Sequence, residues 1–278
     1  MTLTLMKQHG EEQPVSLHFS YSQLNTYLLC PMKYAHQYVY GTPWESRPAA
    51  LCFGKAIHKS AEAYYRNIQE NGEIIPVDQM IHTFETVFFD DIGNNDIPLT
   101  MKDGETSETL REQGINLLKL FHAETRPRKI RAVEMPFTQK IPDIINGKSD
   151  LPVILKGVFD LVEADDDGTY SVVELKTSSQ RYSSLKLEYD LQATVYSYAM
   201  TSMRVGTSSN SCLVRYDVLI KTKKPTFDHY YVTRSEADFQ RLIHLINYIL
   251  KAIENRIFYR QTGWQCGDCQ FKKACFTI

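Results

Sequence analysis

Apolar and polar positions repeat with a helical period in the first half of the chain, with a strand period from residue 129, and with both in turn after that. "FSYSQLNTYLLC" (19–30) predicts a helix. Ser20 is its N-cap with Gln23 as capping-box partner, and Phe19 and Leu24 occupy the hydrophobic-staple positions. Pro31 removes a helical donor, so a break or kink is expected just after Cys30. Further helices are predicted over 53–70 ("FGKAIHKSAEAYYRNIQE"), 76–90 and 107–125, with an exposed polar loop over 90–109. Three strand-like runs follow: "KIRAVEMPFTQKI", "ILKGVFDLVEA" and "TYSVVELKT". The last two flank "DDDG", a turn signal; the segment 141–152 is a second soft stretch. "LEYDLQATVYSYAMTSM" returns to helix, "SCLVRYDVLIKT" and "FDHYYVTR" are strands joined around Pro225, and a long helix capped by Ser235 closes the pattern. Helices, a meander, a helix, two strands and a helix predict a mixed α/β core with helical additions.

Composition narrows the class. The 278 residues are 43% hydrophobic and 23% charged, ordinary for a soluble globular protein of one large domain or two small ones. A net charge of −2 excludes a surface coated in positive charge, so any nucleic-acid contact must be a local patch. Candidate patches are Arg126–Arg131, Lys221–Pro225 and Lys272–Lys273. The first residues lack a signal-peptide core, and no apolar run approaches membrane-spanning length. The expectation is an intracellular, cytoplasmic protein without a membrane partner, in which six cysteines serve as metal ligands or buried thiols before disulfides.

The most informative stretch is "GVFDLVEADDDGTYSVVELKTSS". Strand side chains alternate faces, so Glu174 and Lys176 project together while Leu175 points away. If the hairpin pairs these strands, Asp160 faces Glu174, and two such carboxylates bind a hard cation such as Mg²⁺ or Mn²⁺. A lysine beside them can orient or deprotonate water, or stabilise charge developing on phosphorus. The plain alternative is a surface hairpin with a Glu–Lys pair. "EADDDGTYSVVE" also fits an EF-hand template in part, but its flanks read as strands and its first ligand is Glu163. His58 is a candidate further ligand. Gln192 and Tyr196, at i,i+4 on one helical face, can offer an amide and a ring to a nucleic-acid strand; ordinary helix packing is the alternative.

Near the C-terminus, Cys266, Cys269 and Cys275 follow C-x2-C-x5-C spacing, three ligands of a site that needs four. "NGKSD" has Pro142 where a Walker A motif needs its first glycine, so neither a motor nor a nucleotide cofactor is expected.

The order "CP", "GKAIH", "GVFD", "VELKT", "LQATVY", "VLIKTKKP" and C-x2-C-x5-C, over residues 19–276, resembles the PD-(D/E)XK nuclease superfamily. It is most similar to the RecB-like branch, with the CRISPR-associated RecB-like nucleases, the AddB nuclease domain and eukaryotic exonuclease V. The resemblance implies a restriction-endonuclease-like mixed sheet flanked by helices, with an N-terminal helical insertion and an iron–sulfur tail. The implied organisation is a polar segment over 1–18 and one nuclease domain over 19–278. Within it lie a helical part (about 53–125), a core (about 129–257) and a tail (258–278) joined to Cys30. The implied metal ligands are His58, Asp160, Glu174 and the Leu175 carbonyl. Lys176 is the implied catalytic lysine beside Asp160 and Glu174, and Gln192 and Tyr196 belong to the motif that follows. Glu134 falls where the family often has an acidic residue. Cys30, Cys266, Cys269 and Cys275 are implied to hold a [4Fe–4S] cluster; the spacing alone also permits structural zinc. Cys52 and Cys212 receive no role.

The expected activity is a Mg²⁺- or Mn²⁺-dependent deoxyribonuclease, an exonuclease preferring single strands, in DNA repair, recombination or CRISPR adaptation. Its partner is DNA, with room for a helicase or CRISPR integrase that this chain does not reveal. The alternative is a non-catalytic iron–sulfur, nucleic-acid-binding subunit of a helicase–nuclease or integrase complex.

Overall fold

A computed structural model describes residues 18–93, 96–166, 168–203 and 212–277. Except for His18, the polar segment expected over 1–18 lies outside them, as does Asp167 of the predicted turn. In chain order the helices are α1 (Tyr21–Leu29), α2 (Pro31–Tyr34), α3 (Ala49–Asn71), α4 (Val77–Gly93), α5 (Ser107–Glu124), α6 (Ser184–Glu188), α7 (Leu191–Ser202), α8 (Glu236–Glu254) and α9 (Lys272–Phe276). The strands are β1 (His18–Phe19), β2 (Arg47–Pro48), β3 (Leu99–Thr100), β4 (Lys129–Lys140), β5 (Ile154–Ala164), β6 (Tyr170–Ser178), β7 (Leu213–Ile220) and β8 (Thr226–Val232). The result is a mixed α/β fold with a mixed sheet flanked by helices. Its residues group into two compact units, 47–135 with 158–234, and the remainder.

In the first of these units β5 and β6 pair antiparallel, with Leu161 opposite Val173. β6 and β7 pair parallel from Ser171–Leu213 to Ser178–Ile220, and β7 returns antiparallel into β8. A parallel pair needs a crossover, and α6 and α7 supply it. Alternation along β6 divides its side chains. Val173 and Leu175 join a core with Phe53 and Ile57 of α3, Phe84 of α4 and Leu117 of α5. α4 and α5 approach closely at Gly114, where an added Cβ would lie 2.1 Å from Phe84 Cζ. Gly72 closes α3 in a left-handed conformation, φ 74°. The loop expected over 90–109 is shorter than predicted: α4 reaches Gly93, and β3 pairs with β2. Asp165 N–H donates to Thr169 O (2.9 Å) and Gly168 N–H to Asp165 O (3.0 Å), joining β5 to β6 as expected for a hairpin rather than a calcium loop.

In the other unit the predicted Ser20–Gln23 capping box is present, and Cys30 is extended, so α1 stops before Pro31 opens α2. A π-helical turn, Ala35–Val39, follows. β1 lies parallel to the start of β5, at Ile154 and Leu155. α8 is capped by Ser235 and Asp238 and buries Phe239, Leu242, Ile243, Ile246, Leu250 and Ile253 at helical spacing. Asn247 interrupts that stripe; its amide bonds Pro142 O (2.9 Å) and accepts from Ile144 N–H (3.1 Å).

Candidate functional site

The hairpin brings the predicted carboxylates together. Where the ladder reaches Leu161–Val173, the next residue of β5, Asp160, accepts the Leu175 N–H through Oδ2 (3.0 Å). The same oxygen lies 3.3 Å from His58 Nδ1, which α3 presents. Glu174 is 3% exposed. Its Oε1 accepts from Lys176 Nζ (2.5 Å) and from Gln192 Nε2 (2.7 Å), while its Oε2 is buried with no hydrogen-bond partner. A buried carboxylate oxygen without a donor is costly unless something else meets its charge.

The electrostatics set protonation states. Burial raises the Glu174 pKa, with Asp160 adding and Lys176 opposing. Burial disfavours the Lys176 ammonium, but the Glu174 charge and hydrogen bond outweigh it and raise its pKa above the usual lysine value. The Glu174 carboxylate thus favours the ammonium form of Lys176. Burial likewise opposes His58 protonation, and the hydrogen bond and charge of Asp160 overcome it, so its pKa is raised. Glu134 is a non-glycine residue at φ 52°; burial and then the Asp160 charge raise its pKa. Such a backbone conformation costs about 1–3 kcal/mol and persists only where its surroundings enforce it.

Gln192 and Tyr196 do not lie at the surface. They are 5% and 6% exposed; Gln192 also donates to Tyr196 Oη (3.0 Å), which donates to Val158 O (2.9 Å). The Tyr196 ring packs edge-on against Phe159. Both side chains thus face Glu174 and β5 rather than offering an open face to a strand. Of the basic clusters, Arg128 pairs with Asp165, Arg131 lies over the Tyr170 ring, and Lys221 lies 4.8 Å from the Phe53 ring centroid.

The four predicted tail ligands lie around one cavity without converging on a common point. Cys30, Cys266, Cys269 and Cys275 line one cavity together with His36 and Arg260. Burial and the other three thiols raise the Cys275 pKa, while Arg260 lowers it. The tail reaches Cys30 through the backbone: Met32 N–H donates to Tyr259 O (3.1 Å) and Glu45 N–H to Gln270 O (3.0 Å). The Glu45 carboxylate then caps α9, accepting from Lys273 N–H (3.1 Å) and Ala274 N–H (2.9 Å). His36 Nε2 is buried without a partner, and its ring stacks on Phe271. Four thiols, a cationic rim and an orphaned nitrogen fit a thiolate-bound metal centre. Even so, among the described residues no three His, Cys, Asp or Glu side chains, here or around Asp160, converge at ready metal-ligand spacing. Cys52 and Cys212 are buried, and burial pushes both thiols up to about 11, which disfavours the thiolate.

Sequence reasoning missed a buried ion network in the sheet. Arg215 bonds Glu163 (2.8 Å) and Asp217 (2.8 and 3.1 Å), and Asp217 bonds His229 (2.6 Å). The available signal was Arg215 and Asp217 two apart, hence on one face, in the otherwise apolar run "LVRYDVLI".

The PD-(D/E)XK nuclease superfamily model matches residues 18–276, and the chain belongs to that superfamily. Among solved structures it is similar to an exonuclease candidate from Eubacterium rectale, at 13% identity and TM-score 0.53, covering 92% of this chain and 87% of that one. This likeness shows the fold. A second structure, SSO0001, aligns at 12% identity over 91% of this chain and 94% of that one, but its TM-score of 0.34 carries no argument. Comparison with curated proteins finds no match. Among the described residues no helix is long and apolar enough to cross a membrane.

Proposed function

We propose that the chain is a metal-dependent deoxyribonuclease that hydrolyses phosphodiester bonds, acting as an exonuclease on single strands. The observation that carries this reading is Glu174: a buried carboxylate with one oxygen unpartnered, beside Asp160, His58 and the Lys176 ammonium. In this reading Asp160, Glu174, His58 and the Leu175 carbonyl hold the cation. A divalent cation held there would polarise the phosphate and lower the pKa of the attacking water. The Lys176 ammonium would offset charge gathering on the phosphoryl oxygens. Gln192 and Tyr196 orient Glu174 from behind, in place of the strand contact their spacing first suggested. The exonuclease designation of the Eubacterium rectale protein adds support for end-directed cleavage.

Cys30, Cys266, Cys269 and Cys275 are proposed to hold a [4Fe–4S] cluster in the RecB-like manner, with structural zinc as the alternative that metal analysis separates. Such a centre would fasten α2 to the tail across more than two hundred residues of chain and so restrict the unfolded state. A place in repair, recombination or CRISPR adaptation belongs to the same reading.

The test is digestion of end-labelled single and double strands with Mg²⁺ or Mn²⁺. Asp160→Ala and Lys176→Ala should each abolish cleavage while circular dichroism stays native. Near-normal turnover of either variant at saturating metal would overturn the site.

A further inference from the structure

Past Lys176, β6 runs directly into a short segment that none of the motifs above covers, and this segment is tightly held. Tyr182 N–H donates to Tyr230 Oη (3.2 Å), Tyr230 donates on to Asp228 (3.0 Å), and Arg181 pairs with Asp228 (3.3 Å). The Tyr182 ring stacks on Tyr230, centroids 5.6 Å apart and planes 19° apart, and meets the Tyr216 ring edge-on at 5.9 Å. Strands β7 and β8 therefore fix the position of this ring. Lys186, exposed on α6, places its ammonium 3.4 Å from the Tyr182 centroid. Among the described residues it forms no ion pair with a carboxylate. Asp190, the nearby acid, accepts through Oδ1 from Ala193 N–H (2.9 Å) and from Tyr216 Oη (2.5 Å).

Tyr216, whose ring meets Tyr182, lies opposite Glu174 in the β6–β7 ladder, so the Tyr182–Lys186 pair stands on the face of the sheet that carries Glu174 and Lys176. Loss of solvent at the ring depresses the Lys186 pKa; Asp190 opposes, and the Lys176 charge adds to the depression. The Tyr182 phenol in turn lies within the field of Lys176. A second cation on the face that carries Lys176 adds to the positive field a phosphate strand meets there. Packing on an aromatic face holds a long side chain in one place, so less freedom is lost when its ammonium meets a phosphate. A lysine acts there as a point charge and reads no base.

We propose that Lys186, held over the Tyr182 ring, is a substrate-positioning residue that takes the phosphate adjoining the one being cleaved on a single nucleic-acid strand. This rests on the nuclease reading of the Glu174–Lys176 centre, and it adds a named contact outside the metal ligands and the catalytic lysine.

The test compares wild type, Lys186→Ala, Lys186→Arg and Tyr182→Leu on a fluorescent oligothymidylate. Binding is measured in Ca²⁺ over a salt series, and cleavage in Mg²⁺. Losing one phosphate contact should reduce the slope of log affinity against log salt by about 0.7. Lys186→Ala should show that loss and raise KM about tenfold with kcat little changed, and Lys186→Arg should restore the slope. Tyr182→Leu should weaken binding while keeping the cation. A neutral methylphosphonate moved along the strand should cost wild type affinity at one linkage, beside the cut, and cost Lys186→Ala nothing extra there. Equal slopes and an identical methylphosphonate profile in wild type and Lys186→Ala would overturn the proposal. Wild type that binds the strand but never cuts it would overturn the nuclease reading instead, and the binding series would still decide the Lys186 contact.

Discussion

Gln192→Leu separates a positioning role from a surface one. The substitution keeps most of the buried volume and deletes one donor to Glu174 Oε1, leaving Lys176 as the remaining one at 2.5 Å. Tyr196 keeps its bond to Val158 O (2.9 Å), so the helix should stay in place. A hydrogen bond to a charged group contributes about 1.5–3 kcal/mol, and loss of a residue that orients a ligand typically costs about 10–100-fold in metal affinity. Burial already raises the Glu174 pKa. Removing a donor to the carboxylate raises it further, so more of Glu174 is protonated at low pH, and metal binding should suffer more at pH 6 than at pH 8. Isothermal titration with Mn²⁺ at both pH values reads this directly. The same metal affinity as wild type at both pH values would refute the inward, Glu174-directed role. Weaker strand binding at unchanged metal affinity would restore the role in nucleic-acid contact.

Three further outcomes follow from other parts of the molecule. Cys30→Ser should lose bound iron or zinc as fully as Cys269→Ser, while Cys52→Ser and Cys212→Ser keep it; metal analysis and absorbance of anaerobically purified protein check this, and full metal in Cys30→Ser would contradict the shared cavity. Gly114→Ala must push Phe84 aside and should destabilise by about 1–3 kcal/mol, lowering the melting temperature by about 2–4 °C per kcal/mol. The Asp217 hydrogen bond raises the His229 pKa against the effect of burial. Its contribution to stability should therefore be complete below the unfolded value of about 6.5 and fade as pH rises through the folded value; unfolding curves of His229→Gln across that window should lack the fade.

Much of the architecture needed only local pattern. The Ser20–Gln23 cap, the stop at Cys30 before Pro31, the hairpin across "DDDG" and the long amphipathic α8 are decided by neighbours within a few residues, and the sequence placed each of them. Period-2 alternation also determined that Glu174 and Lys176 share a face while Leu175 enters the core. The i,i+4 spacing of Gln192 and Tyr196 showed that they act together, but not which way they point, because that depends on β5 and β6 meeting α7. The raised pKa of the Cys52 and Cys212 thiols likewise follows from burial among distant residues. Burial of Lys176 disfavours its ammonium, and only the packed Glu174 carboxylate offsets that effect. Lys186 and Tyr182 become a pair only because β7 and β8 bring Tyr216 and Tyr230 beneath the ring. Residue type and spacing thus set which groups are available. Their charge, direction and partners come from contacts between segments far apart in the chain, which a local period cannot encode.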